Sequence, residues 1–559
     1  TPSATTITID ETVPVIANYS ISSAVATGGT AVGNYWNSTN TGLDVSIEVK
    51  AVDASVSNGS IRILAGIGTD AASAVYHQLG DAVLVQPSNN IANGIVLTSI
   101  TEEQVEAQDE YAEEKIINLK AEVADIAGNK TVINIASDKL LIDTVVPTIS
   151  KVESVDGLGV IRNGLFGVDD AVNIKLTFSE ILTLTDGVAK VGLDVVTVPE
   201  IVAADLQGVD NVTIAYTVLE NDESASLSFT GLTLPTGVLR DNAGNDMAVL
   251  TADVGFSLEN TSSVEIDGIY PVAFDAGAVI TETSNTDDVI ADHWNPSTTG
   301  YWNSYNDGIR ITIPIVENIN TGGTIRVLAK VLGDDSWVDL TTANHVITDA
   351  DAIAGEVVIN VSETEFTGTL PGSPTSWYSE GATVSLSARI TDLAGNSTEG
   401  SASATSIVID ETLPTIANYI ISSATATGGT IVTNYWNSTN TGLNVSVTVL
   451  AADASVNNGS IRILAGIGAD AASAAYHQLG DPVEVLPSNN LENGITIASI
   501  TEAQVEAQVE YEEEKIINLK AEVVDIAGNK TVINIASDKL LIDTVVPTIS
   551  MVESVDGDG

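Results

Sequence analysis

Residues 11–150 return at 411–550 with an offset of 400 and few changes, and a chain that copies itself at this length folds as an array of closed modules. The segment NYWNSTNTGL stands at 34–43 and at 434–443, and GSIRILAGIG at 59–68 and 459–468. A shorter beat runs inside the long one. Ile-Asp-x-x-x-Pro begins at Ile9, Ile142, Ile266, Ile409 and Ile542, marking off units of 133, 124, 143 and 133 residues. Asp-x-Ala-Gly-Asn precedes each closing mark, at 125–129, 241–245, 392–396 and 525–529. The order reads A (11–143), B (144–267), C (268–410) and A′ (411–543), with the end of a preceding unit at 1–10 and the start of a further B-like unit at 544–559. A and C are distant relatives: both carry Tyr-Trp-Asn-Ser, from Tyr35 and Tyr301, and an Ile-Arg-Ile/Val-Leu-Ala run from Ile61 and Ile325.

The units read as β-sandwiches. Leu43, Val45, Ile47 and Val49 alternate with Asp44, Ser46, Glu48 and Lys50; Val172, Ile174, Leu176 and Phe178 alternate in the same way in B. Period two places one face in a core and the other in water. Aromatic residues are only 4% of the chain, so the cores must be built from Val, Ile, Leu and Ala, which suit thin sheet-on-sheet packing. One short helix is expected at the capping box Thr101-Glu-Glu-Gln104, repeated at Thr501–Gln504, crossing from one sheet to the other. Many short strands without a βαβ rhythm point to antiparallel sheets.

Charge narrows the functions. With 75 acids against 20 bases the net charge is −55, which repels phosphate backbones and anionic lipid, so nucleic-acid binding is not expected, and cations are attracted. There is no cysteine for a disulfide or thiolate site, and four His argue against zinc or haem. No apolar run approaches the roughly 20 residues of a membrane helix, so this segment is not expected to insert into a bilayer. No acid–base pair, Gly-x-Ser-x-Gly elbow or phosphate loop stands out, and the chain is expected not to be an enzyme.

Unit B carries IKLTFSE at 174–180, IAYTVLENDESASLSFTG at 214–231 and LRDNAGN at 239–245. With the repeated Asp-x-x-x-Pro junction and Asp-x-Ala-Gly-Asn hairpin, the chain resembles the tandem bacterial immunoglobulin-like repeats of giant adhesins and other large extracellular surface proteins. The Tyr-Trp-Asn-Ser segment of A and C departs from the commonest pattern of that family. The resemblance implies an all-β tandem array of Ig-like antiparallel β-sandwich domains in an extended rod, at the cell surface or secreted. It also implies calcium at the domain junctions.

The residues give that last implication a reason of their own. The inward parity of Ile117, Leu119, Ala121 and Val123 continues to Asp125; Asp525 and Asp392 end equivalent runs, whereas Leu239-Arg240 before Asp241 breaks the pattern in B. An inward carboxylate needs N–H donors or a cation. The candidate ligands are the hairpin residues Asp125 and Asn129, Asp241 and Asn245, Asp392 and Asn396, Asp525 and Asn529, with the linker acids Asp10, Asp143, Asp267, Asp410 and Asp543, and Glu11 and Glu411 at two junctions. The alternative is structural: each hairpin Asp caps its own turn, and Ile-Asp-x-x-x-Pro is a rigid turn. Trp36, Trp302 and Trp436 are either core anchors, the favoured reading, or a platform for stacking sugar. Asn-x-Ser/Thr sequons occur at Asn37 and Asn129, among others.

Three functions compete. The leading one is a structural extender whose partners are neighbouring domains of the same chain. The second is a subunit of an S-layer, sheath or filament, in which identical chains pack side by side. The third is a glycan- or ice-binding module.

Overall fold

The structure is a computed structural model that describes residues 7–273, 280–285, 299–314, 321–334, 336–368, 378–553 and 557; parts of the expected flanking pieces at 1–10 and 544–559 therefore lie outside the described residues. The chain forms two compact units, Thr1–Ile269 and Tyr270–Gly559. The first holds two separate hydrophobic cores, spanning Tyr19–Ile142 and Ile149–Ile266. The second also holds two, spanning Trp302–Ile409 and Tyr419–Ile542. Each core draws its side chains from one sequence unit, because alternate residues of each strand face the opposing sheet.

Domain A shows the plan. Its strands are β1 (Tyr19–Thr27), β2 (Tyr35–Trp36), β3 (Gly42–Val49), β4 (Ser60–Gly68), β5 (Tyr76–Leu84), β6 (Gly94–Thr101), β7 (Ile116–Ala124) and β8 (Lys130–Ile142), with α1 (Glu102–Glu106) between β6 and β7. One sheet runs β1-β3-β6 and the other β2-β8-β7-β4-β5. Every pairing is antiparallel except β2 with β8, where Tyr35 lies beside Leu141 and Trp36 beside Ile142. The opening stretch thus serves both sheets, β1 in one and β2 in the other, as in an immunoglobulin-like sandwich. Helix α1 carries the expected capping box, Thr101 with Gln104, and takes the chain from the first sheet to the second.

Alternation decides what is buried. Leu43, Val45, Ile47 and Val49 are fully buried, as are Val172, Ile174, Leu176 and, almost completely, Phe178 in B. A′ repeats the A sheets except at the β5 stretch, which is split there into Tyr476–Gln478 and Val483–Glu484. C keeps the same frame: 280–285, 306–314 and 356–362 make one sheet, and Thr299–Trp302 pairs in parallel with Ser406–Ile409 in the other. Among the described residues, three α-helices escaped the sequence reading: Leu258–Thr261, Asp349–Ala354 and Glu363–Thr367. Two have capping boxes, Thr348 with Asp351 and Ser362 with Glu365. Each is too short to show a hydrophobic period.

Trp36, Trp302 and Trp436 are among the largest fully buried side chains, at 0–1% exposure. The Trp36 Nε1–H donates to the Tyr111 hydroxyl at 3.0 Å, and Trp436 does the same to Tyr511 at 2.9 Å. No ring face is free to stack on a sugar, so the sugar-platform expectation is corrected: in these aromatic-poor sandwiches the indoles fill the core where the short parallel strand ends. Trp36→Ala is expected to destabilise domain A by about 3–5 kcal/mol in denaturant unfolding, the range for emptying a large aromatic site.

Candidate functional site at the domain seams

The hairpin Asp-x-Ala-Gly-Asn turns on its own side chains. In A, the Asn129 backbone N–H donates to Asp125 Oδ1 at 2.8 Å and its Nδ2 to Asp125 Oδ2 at 2.9 Å. The same pair of bonds joins Asn245 to Asp241, Asn396 to Asp392 and Asn529 to Asp525. Asp125, Asp241 and Asp525 are buried, and Asp392 is half-buried. Domain B therefore does not break the inward parity: Leu239 and Asp241 both face in, and Arg240 points outward to an ion pair with Asp246. The hairpin acids thus have the N–H donors that burial demands.

The linker acid is tied to the Trp backbone because its strand pairs with the short parallel one. The Asp143 N–H donates to Trp36 O, Asp410 to Trp302 O and Asp543 to Trp436 O, each at 2.9 Å. The Asp10, Asp267 and Asp410 carboxylates accept from the backbone N–H two residues on, at Thr12, Ile269 and Thr412, so these linkers start with an Asx turn. A Glu supports the same turn from the side. Glu113 accepts from the N–H and hydroxyl of Thr144, and Glu513 from those of Thr544. In C, Glu380 accepts from the Glu411 N–H and the Thr412 hydroxyl. These glutamates were not among the candidates, although Tyr-x-Glu at 111–113, 378–380 and 511–513 marks them in the sequence.

Hairpin and linker meet at the seams. Between A and B, Asn245 Nδ2 donates to Asp143 O at 2.9 Å, and its Oδ1 accepts from the Ser38 N–H at 2.8 Å. Asn37, buried to 1% exposure, donates through Nδ2 to Ala243 O at 2.6 Å and to Thr30 O at 2.7 Å. Between C and A′ the pattern repeats. Asn303 Nδ2 donates to Ala527 O at 2.7 Å, the Ser304 N–H to Asn529 Oδ1 at 3.0 Å, and Asn529 Nδ2 to Asp410 O at 2.7 Å. At the start of A, Asn129 Nδ2 reaches Asp10 O at 2.9 Å. The Nδ2 of the sequon residues Asn37 and Asn129 is thus engaged in hydrogen bonds.

The socket residues Asn37 and Asn303 were also missed. Their partners lie 206 and 224 residues away, and one sequence carries no sign of that pairing.

Acids crowd both seams. Carboxylate oxygens of Asp143, Glu180 and Asp241 all lie within 4.8 Å of one another. Burial first, then the charges of Asp241 and Asp143, push the Glu180 carboxyl up to about 7. Burial and the neighbouring Asp241 and Glu113 raise Asp143 as well. Between C and A′, burial and then a hydrogen bond to Glu380 raise Asp410 to about 6. Burial, against the donors of Asn529 and with the charge of Asp410, takes Asp525 to about 7. Asp125, in the same hairpin sequence, is instead held low: burial is outweighed by the Asn129 donors. The two hairpins differ in what covers them, since Ala527 is buried and Ala127 is exposed.

A carboxyl–carboxyl contact at neutral pH needs a shared proton or a cation between the oxygens. At the A–B seam Asp143, Glu180 and Asp241 fit a hard cation that takes carboxylate and carbonyl oxygens. At the C–A′ seam Asp410 neighbours Glu380, the counterpart of Glu113, and feels the charge of Asp453, while Asp525 of A′ feels the charge of Asp410. Glu11 is exposed and Glu411 accepts from the Tyr378 hydroxyl at 2.9 Å, so neither is gathered into a seam. Asp267 and Asp392 belong to different compact units, and Asp543 is exposed.

No family model matches the chain, and no curated protein does. Solved structures give distant likenesses. A Ca2+-stabilized adhesin that helps an Antarctic bacterium reach out and bind ice is 15% identical, over 93% of this chain and 100% of that one, with a TM-score of 0.34. A 1.5-MDa bacterial ice-binding adhesin, described for host cell surface retention, is 13% identical over 68% of this chain and 95% of that one, with a TM-score of 0.28. The FN1-FN3 domains of chicken CNTN1 are 11% identical over 70% and 99%, with a TM-score of 0.23.

Proposed function

We propose that this chain is an extender segment of a large extracellular surface or adhesin protein, a structural part rather than an enzyme, whose domain seams are stiffened by calcium. The observation that carries the reading is the gathering at the A–B seam of Asp143, from the end of A, with Glu180 and Asp241 of B, their carboxylate oxygens within 4.8 Å of one another. The cluster lies where the end of one sandwich meets the hairpin of the next, so whatever neutralises these acids also joins the domains. Calcium would be held by Asp143, Glu180 and Asp241 at one seam and by Asp410, Glu380 and Asp525 at the other. It would supply positive charge to oxygens that otherwise repel or share a proton. Asn245 and Asn529 act beside it, each tying its own hairpin to the preceding linker carbonyl. The net charge of −55 keeps such a segment soluble and apart from other acidic surfaces.

Solution scattering of the whole chain tests the reading. With calcium the largest dimension is expected to be sharply defined; a chelator is expected to broaden the distance distribution as the seams loosen. Identical curves in both conditions would sink the calcium part of the proposal.

A further inference from the structure

A′ repeats the Asn-Ser socket of A residue for residue, from Asn434 to Asn440. Its internal geometry is the same. The Asn437 N–H donates to Asn440 Oδ1 at 2.7 Å and Asn437 Nδ2 to Thr430 O at 2.8 Å; in A the corresponding distances are 2.8 and 2.7 Å. Exposure differs. Asn37 is buried under the B hairpin, whereas Asn437 is half-buried, and Thr430, Val432 and Tyr435 are exposed where Thr30, Val32 and Tyr35 are half-buried. The A socket closes tightly on its hairpin: a Cβ at Gly244 would stand 2.8 Å from Val32 Cγ2 and 2.9 Å from Asn37 Nδ2. Gly244 has φ +98, so glycine meets both the turn and the close approach.

We infer that Thr430, Val432, Asn437 and Ser438 form a preformed docking socket for the Asp-Asn-Ala-Gly-Asn hairpin of a B-type domain, met here as a second copy of residues 144–267. Because the socket is already shaped, docking costs little reorganisation. A choice between hairpins is built in. Where an A-type hairpin docks, in C, the Lys530 ammonium lies 5.2 Å from the centre of the Tyr305 ring. The A-type sockets carry Thr39 and Thr439 at that position, and the B hairpin is followed by Asp246 instead of Lys. Each socket thus matches one hairpin type, which sets domain order along an array. The inference stands apart from the calcium reading, because the bonds that form the socket are amide to carbonyl.

Residues 543–550 repeat 143–150, so a second copy of 151–267 can follow Ser550 without a foreign linker. Hydrogen exchange is compared between the 559-residue chain and this extended chain, both in chelator, through peptides beginning at Ile431, which differ in sequence from those beginning at Ala31. The Ser438 amide is expected to slow by roughly tenfold or more in the extended chain, toward the rate of Ser38. Gly244→Ala in the added copy alone is expected to restore fast exchange while that copy's core strands stay protected. Equal Ser438 exchange in the two chains, with the added core protected, overturns the inference. If the added copy lacks core protection, replacing residues 151–267 by 551–559 alone in a chain cut back to domain A decides it: Ser38 must then lose its protection. A difference between chelator and calcium bears on the calcium reading only.

Discussion

Gly244→Ala is expected to undock B from A while leaving both sandwiches folded. Two costs add at this position. An alanine at φ +98 is strained by about 1–2 kcal/mol, and its methyl would drive into Val32 and Asn37. Gly128→Ala separates them, because Gly128 has φ +94 at the matching position of the A hairpin, yet a Cβ there meets nothing within 4 Å. The Gly128 variant is expected to lose only the strain term, read as a fall of a few degrees in the melting of A. The Gly244 variant should also lose protection of the Ser38 amide, which donates to Asn245 in the docked seam. Equal effects of the two substitutions on Ser38 exchange would mean that the hairpin is not wedged into the socket.

Glu180→Gln is expected to act with opposite signs in the two metal states. Glu180 rises from the usual Glu range to about 7 in the folded seam. An acid raised by folding favours the folded state while it can keep its proton. Its stabilising share is therefore complete below the unfolded value and is lost as pH climbs through about 7. In chelator the A–B pair should accordingly melt higher at pH 5 than at pH 8. The shift corresponds to roughly 3 kcal/mol at most, cut to about 1–2 kcal/mol by solvent at this half-buried site. The neutral amide removes that dependence, so Glu180→Gln should raise the chelated melting temperature at pH 8 by roughly 3–8 °C. With calcium it should do the reverse and shrink the rise that the ion produces. A variant that melts lower in chelator, or that keeps the full calcium response, would count against a cation held between these carboxylates.

The repeat was the easiest thing to read, because a copied segment needs no physics to detect. Strand faces followed from alternation, and Trp36 from the scarcity of other large side chains. Asp125 was legible because its inward parity continues unbroken from Ile117. Asp241 was misjudged because Arg240 precedes it, and a charged residue on the outward face of a two-sided strand says nothing about its neighbours. Glu180 and Asn37 were hidden for a different reason. Their roles exist only across a seam, between residues that share no local pattern. The Asn-Ser-Thr at Asn37 even carried a competing meaning as a sequon.

The parallel pairing of β2 with β8 has a mechanical consequence. Tension on the two ends of domain A draws these strands past each other, so the bonds from Leu141 N–H to Asn34 O and from Asp143 N–H to Trp36 O are loaded together in shear instead of opening one by one. The mechanical clamp of the sandwich and the seat of its neighbour are then one stretch of backbone. A pull strong enough to slip the clamp releases the next domain in the same event.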